Sequence, residues 1–248
     1  MKTKKMILSM MLIGALVFST QLEAQEQSTP QTVEITYFKP KQGHDAKFRA
    51  AVKAHNDAYH NEAPYTGSLN LIQTGRESGW YVVGIGPCTF SDLDNRPSSD
   101  AHNSDWEDNV ISHVGRTGRT EYWTYNEGLS NPVIPIDEIA YETIWFIDID
   151  NNNPESGSNI SKFLKMAKEV NKQLGVDYRE YYSRFGGADG RDIALVFPHK
   201  SLADLDKMNN FAKEFDKIHG EGSFEKNIKL WNSAIKSIDR QLWLINAY

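Results

Sequence analysis

The chain has 248 residues, 40% hydrophobic and 24% charged, a balance that excludes disorder throughout and leaves room for one large core or two small ones. Acidic residues outnumber basic ones, 33 to 27, which argues against a nucleic-acid partner, because phosphate backbones are held by basic patches. Cys88 is the only cysteine, so no intrachain disulfide can form and stability must come from packing.

At the N-terminus Lys2, Lys4 and Lys5 precede an apolar run from Met6 to Phe18, followed by polar residues and Ala24. That layout predicts a secretory signal peptide over residues 1–24, with a secreted or periplasmic product. The apolar run is shorter than the roughly 20 residues a spanning helix needs, so no membrane attachment is expected after cleavage. No cysteine stands near Ala24 to take a lipid. Removing three lysines and Glu23 leaves 24 basic against 32 acidic residues in the mature chain, a net charge of about −8. Residues 25–31 read as a polar tail.

From residue 32 the pattern is strand, helix, hairpin, helix, strand. A β-rich run, VEITYF at 33–38, leads into Phe48, Val52, His55 and Tyr59 at helical spacing. SLNLIQT at 68–74 and GWYVVGIGP at 79–87 flank a glycine-containing turn and read as a hairpin. Ser91 followed by Asp94 resembles a capping box opening a helix that carries Trp106, Val110 and Val114, and TEYWTY at 120–125 closes the unit. Residues 126–138 form a linker, since Pro132 and Pro135 withhold backbone donors.

The same order then returns. YETIWF at 141–146 carries a glutamate at the same offset as the first strand, and Phe163, Ala167, Val170 and Leu174 follow at helical spacing. DYREYYSR at 177–184 and GRDIALVFP at 190–198 form a second hairpin around Gly186, Gly187 and Gly190. Ser201 with Asp204 repeats the capping pattern, Trp231 with Ile228, Ile235 and Ile238 repeats the aromatic helical face, and RQLWLI at 240–245 closes the second unit. The fold class expected is therefore α+β, two tandem ferredoxin-like βαββαβ repeats over residues 32–125 and 139–248, forming one barrel within the chain.

In this element order and spacing the sequence resembles the dimeric α/β-barrel superfamily, which includes antibiotic-biosynthesis monooxygenase-like, NIPSNAP-like and chlorite-dismutase-like proteins. The resemblance implies two ferredoxin-like units joined edge to edge, helices outside and a pocket between the sheets. It rests on architecture alone and carries no signature motif.

Strand alternation separates Val33, Ile35 and Tyr37 from Glu34, Thr36 and Phe38. Placing the more apolar set against the helices turns Glu34, Phe38, Glu142 and Phe146 toward the barrel interior. Trp80, Tyr178 and Tyr182 are further candidates to line a pocket there. A glutamate in that position carries a desolvation cost and would serve as general base or ligand anchor, or else pair with an arginine such as Arg179 or Arg184, or reach solvent at a strand end.

Five of seven histidines, His44, His55, His60, His102 and His113, lie in the first half. His55 shares a face with Phe48 and Tyr59 and reads as a packing residue with its nitrogens satisfied. His102 and His113 lack adjacent-turn spacing and HExxH is absent, so no metal site is expected. By analogy with the chlorite-dismutase-like members, haem would need an axial histidine in the second half, where His199 and His219 sit at helix or loop boundaries. GxGxxG opening a helix, GxSxG and P-loop patterns are also absent, and no cofactor is expected. Cys88 follows an apolar strand and reads as a small buried hydrophobe.

Three functions follow: an exported protein binding a small, largely apolar molecule between the sheets; an enzyme of the cofactor-independent monooxygenase or isomerase kind using Glu34 or Glu142; and an interaction module without a pocket.

Overall fold

The computed structural model describes residues 31–186, 190–207 and 210–248. The segment read as a signal peptide, the tail through residue 30, and residues 187–189 and 208–209 lie outside the described residues.

The first unit runs β1 (Thr32–Pro40), α1 (Asp45–Tyr59), β2 (Gly67–Ile72), β3 (Tyr81–Cys88), the short helices α2 (Phe90–Asp94) and α3 (Asp100–Asp105), and β4 (Val114–Tyr125). The second runs β5 (Tyr141–Ile149), α4 (Ser156–Leu174), β6 (Arg179–Ser183), β7 (Ile193–His199), α5 (Phe211–His219), α6 (Ser223–Ser233) and β8 (Ile235–Leu244). All eight strands close into one antiparallel barrel in the order β1-β3-β2-β8-β5-β7-β6-β4. Each unit thus contributes a four-stranded sheet, and two seams join them. At one, Leu71 and Ile72 of β2 pair with Leu244 and Trp243 of β8; at the other, Trp123, Thr124 and Tyr125 of β4 pair with Ser183, Tyr182 and Tyr181 of β6. Closure leaves no free sheet edge to recruit another strand.

Three clusters hold the fold. Helix α1 buries Phe48 and Val52 against Phe38, Leu69, Tyr81 and Val83 on the outer face of the first sheet. Helices α4, α5 and α6 bury Phe163, Leu164, Phe215 and Trp231 against Ile147, Ile193 and Leu195 of the second. The barrel interior takes Ile35, Tyr37, Val82, Trp123, Ile144, Phe146, Val196 and Trp243. Each such side chain, fully buried, contributes about 1.5–3 kcal/mol of transfer free energy. Gly175, in the left-handed conformation at φ +65°, ends α4 as a glycine C-cap does.

Two local expectations need correction. The capping box of α2 uses Thr89 with Asp92, not Ser91 with Asp94; the Ser201–Asp204 box exists, but it opens a 3-10 turn, Leu202–Asp206. The faces of β1 are also reversed from the expectation. Val33, Ile35 and Tyr37 point into the barrel, and Phe38 packs under α1. In β5 it is Ile144 and Phe146 that point inward, so β1 and β5 are matched one residue out of step with the glutamate alignment. Val33 stands where Glu142 stands, and the coincidence of Glu34 with Glu142 is not structural. A slip of one residue turns a whole strand over, and the interior of the closed barrel takes the more apolar set of β1.

Candidate functional site

Between the two sheets, where a pocket was expected, large side chains pack across the middle among the described residues. Tyr37, Trp123, Phe146 and Trp243 stack edge-on or tilted across the middle, with ring centroids 5.6–6.4 Å apart. Toward one end a polar network closes over them. Arg191 donates to Tyr37 Oη at 3.0 Å and to Glu77 Oε2 at 2.7 Å, with its guanidinium 4.0 Å above the Phe146 ring. Arg119 bridges Glu77 and Glu121, and Gln241 links Glu77, Asp239 and the Trp243 indole. Trp80 packs at this end of the interior with Arg116 over its ring. At the other end stands Glu142, whose carboxyl is pushed up to about 7 by desolvation, with Arg179 pulling it down and Asp177 pushing it up.

The remaining candidates lie elsewhere. Tyr178 is buried on the helix side of the second sheet, stacked near Phe197. Tyr182 alternates with the inward-facing Tyr181 and so turns outward as well. Glu34 faces outward beneath α2 and α3, where Arg96 holds it bidentately at 2.7 and 3.1 Å. The arginine pairing weighed for this glutamate exists, with Arg96 in place of Arg179 or Arg184, and it leaves Glu34 poorly suited to act as a base.

Glu34 and Phe38 instead line a cavity of about 260 Å³ between the first sheet and its helices. Val83, Ile85 and Trp106 supply its apolar wall; Arg96, Asn56 and three histidines supply the polar one. Sequence reading missed this site because its parts converge only in three dimensions. His55 lies on the buried face of α1, and His60 is the residue at which that helix ends. His102 comes from α3, positioned by the Ser99 hydroxyl that caps the helix through the His102 amide at 3.1 Å. Their ring centroids are 4.8–5.2 Å apart.

Close approach of backbone to helix completes the wall. A Cβ on Gly67 of β2 would sit 2.6 Å from the Asn56 side chain, which donates to Tyr248 Oη at 2.9 Å. After Asp105 the helix loosens into a π turn, Trp106–Val110, a distortion that often marks functional positions. It sets the Trp106 ring 5.0 Å from His55.

Two of the three imidazoles, His55 and His60, are held below the ordinary histidine range for identifiable reasons. Burial, then the neighbouring His55 and His102, bring His60 down to about 4. Burial also lowers His55, partly offset by Asp105, whose Oδ2 lies 2.7 Å from His55 Nδ1. The only sequence trace of this cluster was the concentration of histidines in the first half.

Searched against family models and curated protein sequences, the chain finds no match. Solved structures do match. A protein assigned as a monooxygenase from Fusobacterium nucleatum superposes with TM-score 0.57 at 11% identity, covering 88% of this chain and 94% of that one. One so assigned from Lactobacillus acidophilus gives 0.51 at 11%, over 88% and 95%. A chlorite dismutase variant from Candidatus Nitrospira defluvii gives 0.50 at 11%, over 86% and 90%. The chain has the dimeric α/β-barrel fold. Identities this low show architecture and nothing of activity.

The second-unit histidines weighed above as axial ligands, His199 and His219, both have hydrogen-bond partners, and the unit's interior is packed. The layer between its sheet and helices is filled by Ile160, Phe163, Phe215 and Trp231. His219 Nε2 is engaged by the Met166 carbonyl at 3.1 Å and His199 Nε2 by the Thr143 hydroxyl at 3.0 Å.

Proposed function

We propose that this chain is an exported protein that binds a small molecule in the cavity between α1, α3 and the outer face of the first sheet. The observation that carries the proposal is the cavity itself: about 260 Å³, apolar along Phe38, Val83, Ile85 and Trp106 and polar where Arg96 and the histidines converge. Ligand pockets share that composition, a mostly apolar lining with a few convergent polar groups. It favours a compact ligand with an apolar body and one hydrogen-bonding or anionic end. Export is supported by the charged and apolar layout of residues 1–18.

A thermal-shift screen of small amphipathic compounds tests the assignment. Hits should stabilise the wild-type chain and lose their effect on Ile85→Trp, which fills the cavity, provided its far-UV circular dichroism is unchanged. Hits that stabilise both proteins equally bind elsewhere and would reject the cavity as the site.

A second reading, an isomerase- or monooxygenase-like enzyme, is supported by Glu142, a carboxyl held near 7 at one end of the barrel. General bases work best when so poised. Any turnover found in a substrate panel should vanish in Glu142→Gln; turnover that survives the change places the chemistry elsewhere.

A further inference from the structure

We infer that His55, His60 and His102 form a metal centre for a late first-row divalent cation, zinc being the first choice, with an open coordination position toward the cavity. The inference stands apart from the small-molecule reading, since a cation can bind whether or not an organic ligand does.

Each of the three histidines offers a ring nitrogen, and these nitrogens all lie within 4.8 Å of one another. His60 Nε2 and His102 Nε2 are 3.1 Å apart. Two nitrogens bound tetrahedrally to zinc at about 2.0–2.1 Å stand about 3.3–3.4 Å apart, so this pair needs almost no adjustment. Closing on the ion requires His55 to draw in from a separation of at most 4.8 Å.

For two of the three imidazoles, His55 and His102, a second layer of contacts is already in place. Asp105 takes the Nδ1–H of His55 at 2.7 Å, which leaves Nε2 as the ligating atom. Asn103 Oδ1 lies 3.1 Å from His102 Nδ1 and fixes Nε2 of that ring in the same way. An outer carboxylate or amide that sets the tautomer of a ligating imidazole is the usual support of a histidine metal site. His60, 8% exposed, keeps Nδ1 buried with no hydrogen-bond partner among the described residues. Without a cation the His60–His102 contact uses one proton for two nitrogens.

Three imidazole nitrogens, with no fourth ligand grouped with them among the described residues, match the donor set of an open zinc site, whose remaining position takes water or substrate. Imidazole also suits copper, nickel and iron, so affinity alone does not choose among them. The cavity wall formed by Trp106, Asn56 and Arg96 would border that open position.

The test is equilibrium dialysis of the purified, chelator-treated chain against zinc, with metal counted by mass spectrometry, and cobalt loading followed by visible absorption. One zinc per chain and an intense tetrahedral cobalt spectrum are expected. Both should be lost in His60→Ala and in His102→Ala, and kept in a variant carrying His44→Ala and His113→Ala. Should His60→Ala fail to fold, His102→Ala decides, since it alters a short surface helix. Asp105→Asn should weaken zinc about 10–100-fold while keeping the cobalt band. A wild-type chain that binds no stoichiometric zinc, copper, nickel or cobalt overturns the inference. So does a folded His102→Ala that binds as well as wild type.

Discussion

Glu180 on β6 is 3% exposed, and its Oε2 has no hydrogen-bond partner among the described residues. Burial pushes its carboxyl from the ordinary 4.5 up to about 7, with only Asn126 opposing. The folded chain therefore holds this proton at pH values where the unfolded chain has released it. Below about 4.5 both states are protonated and the residue is neutral toward stability. As pH rises from 4.5 to 7 unfolding releases a proton, and stability falls. At 1.36 kcal/mol for each pH unit between the two values, the full loss above pH 7 is roughly 3 kcal/mol. Glu180→Gln removes the ionisation while preserving shape. Relative to wild type it should gain roughly 2–3 kcal/mol between pH 5 and pH 8, read as the change in urea midpoint at constant slope. The corresponding gain in melting temperature is roughly 5–10 °C for a chain of this size. If the two proteins differ by the same amount at pH 5 and pH 8, the carboxyl is not titrating inside the fold and the reasoning fails.

Arg191→Leu should destabilise the chain by about 1–3 kcal/mol, because Glu77 loses one of its two cations and keeps only Arg119 and Gln241 as partners, while the more exposed Asp239 keeps Gln241; a urea midpoint unchanged from wild type would show the network to be solvated. Phe48→Ala, removing a fully buried ring from the α1 contact, should cost about 3–5 kcal/mol by the same measurement. Cys88 is buried, its thiol donates to the Thr32 carbonyl at 3.4 Å, and burial raises its pKa. A thiol reagent should therefore label it slowly in the native state and at once in urea; rapid native labelling would place the sulfur at the surface. Gly67→Ala should unseat Asn56, lower stability and weaken any cavity ligand, which the thermal-shift assay would read directly.

Much of the architecture was written locally. Alternation in 33–38 and 141–146, helical spacing of Phe48 with Val52 and of Phe163 with Ala167, and the glycine turns each depend on residues a few positions apart. Their order alone specified two ferredoxin-like units. Which face of a strand turns inward is not local. Val33-Ile35-Tyr37 and Glu34-Thr36-Phe38 both border a core, one in the barrel and one under α1, and only closure of the barrel decides between them. Phe38 is apolar on the outer face because α1 covers it, and Glu34 on that face is neutralised by Arg96, 62 positions along the chain. The histidine site was hidden for the same reason: His60 and His102, 42 positions apart, become neighbours only when α3 folds over the end of α1.

The two units share a fold and have diverged in what lies between sheet and helices. In the second, α5 and α6 bring Phe215 and Trp231 down onto Phe163, and no comparable void separates these rings. In the first, α2 and α3 are single turns or little more, too short to carry a row of large apolar residues across the sheet. What they deliver instead is Arg96, His102 and Trp106, at the rim of a space that α1 leaves open. Packing in the second unit supplies rigidity at little chemical cost, because apolar contacts need no partners. The first unit gives up part of that packing for buried imidazoles and an ion pair, which stabilise poorly when unoccupied. Fusing both units into one barrel lets the well-packed half support the half that is not, and that asymmetry is why the proposed site is placed in the first.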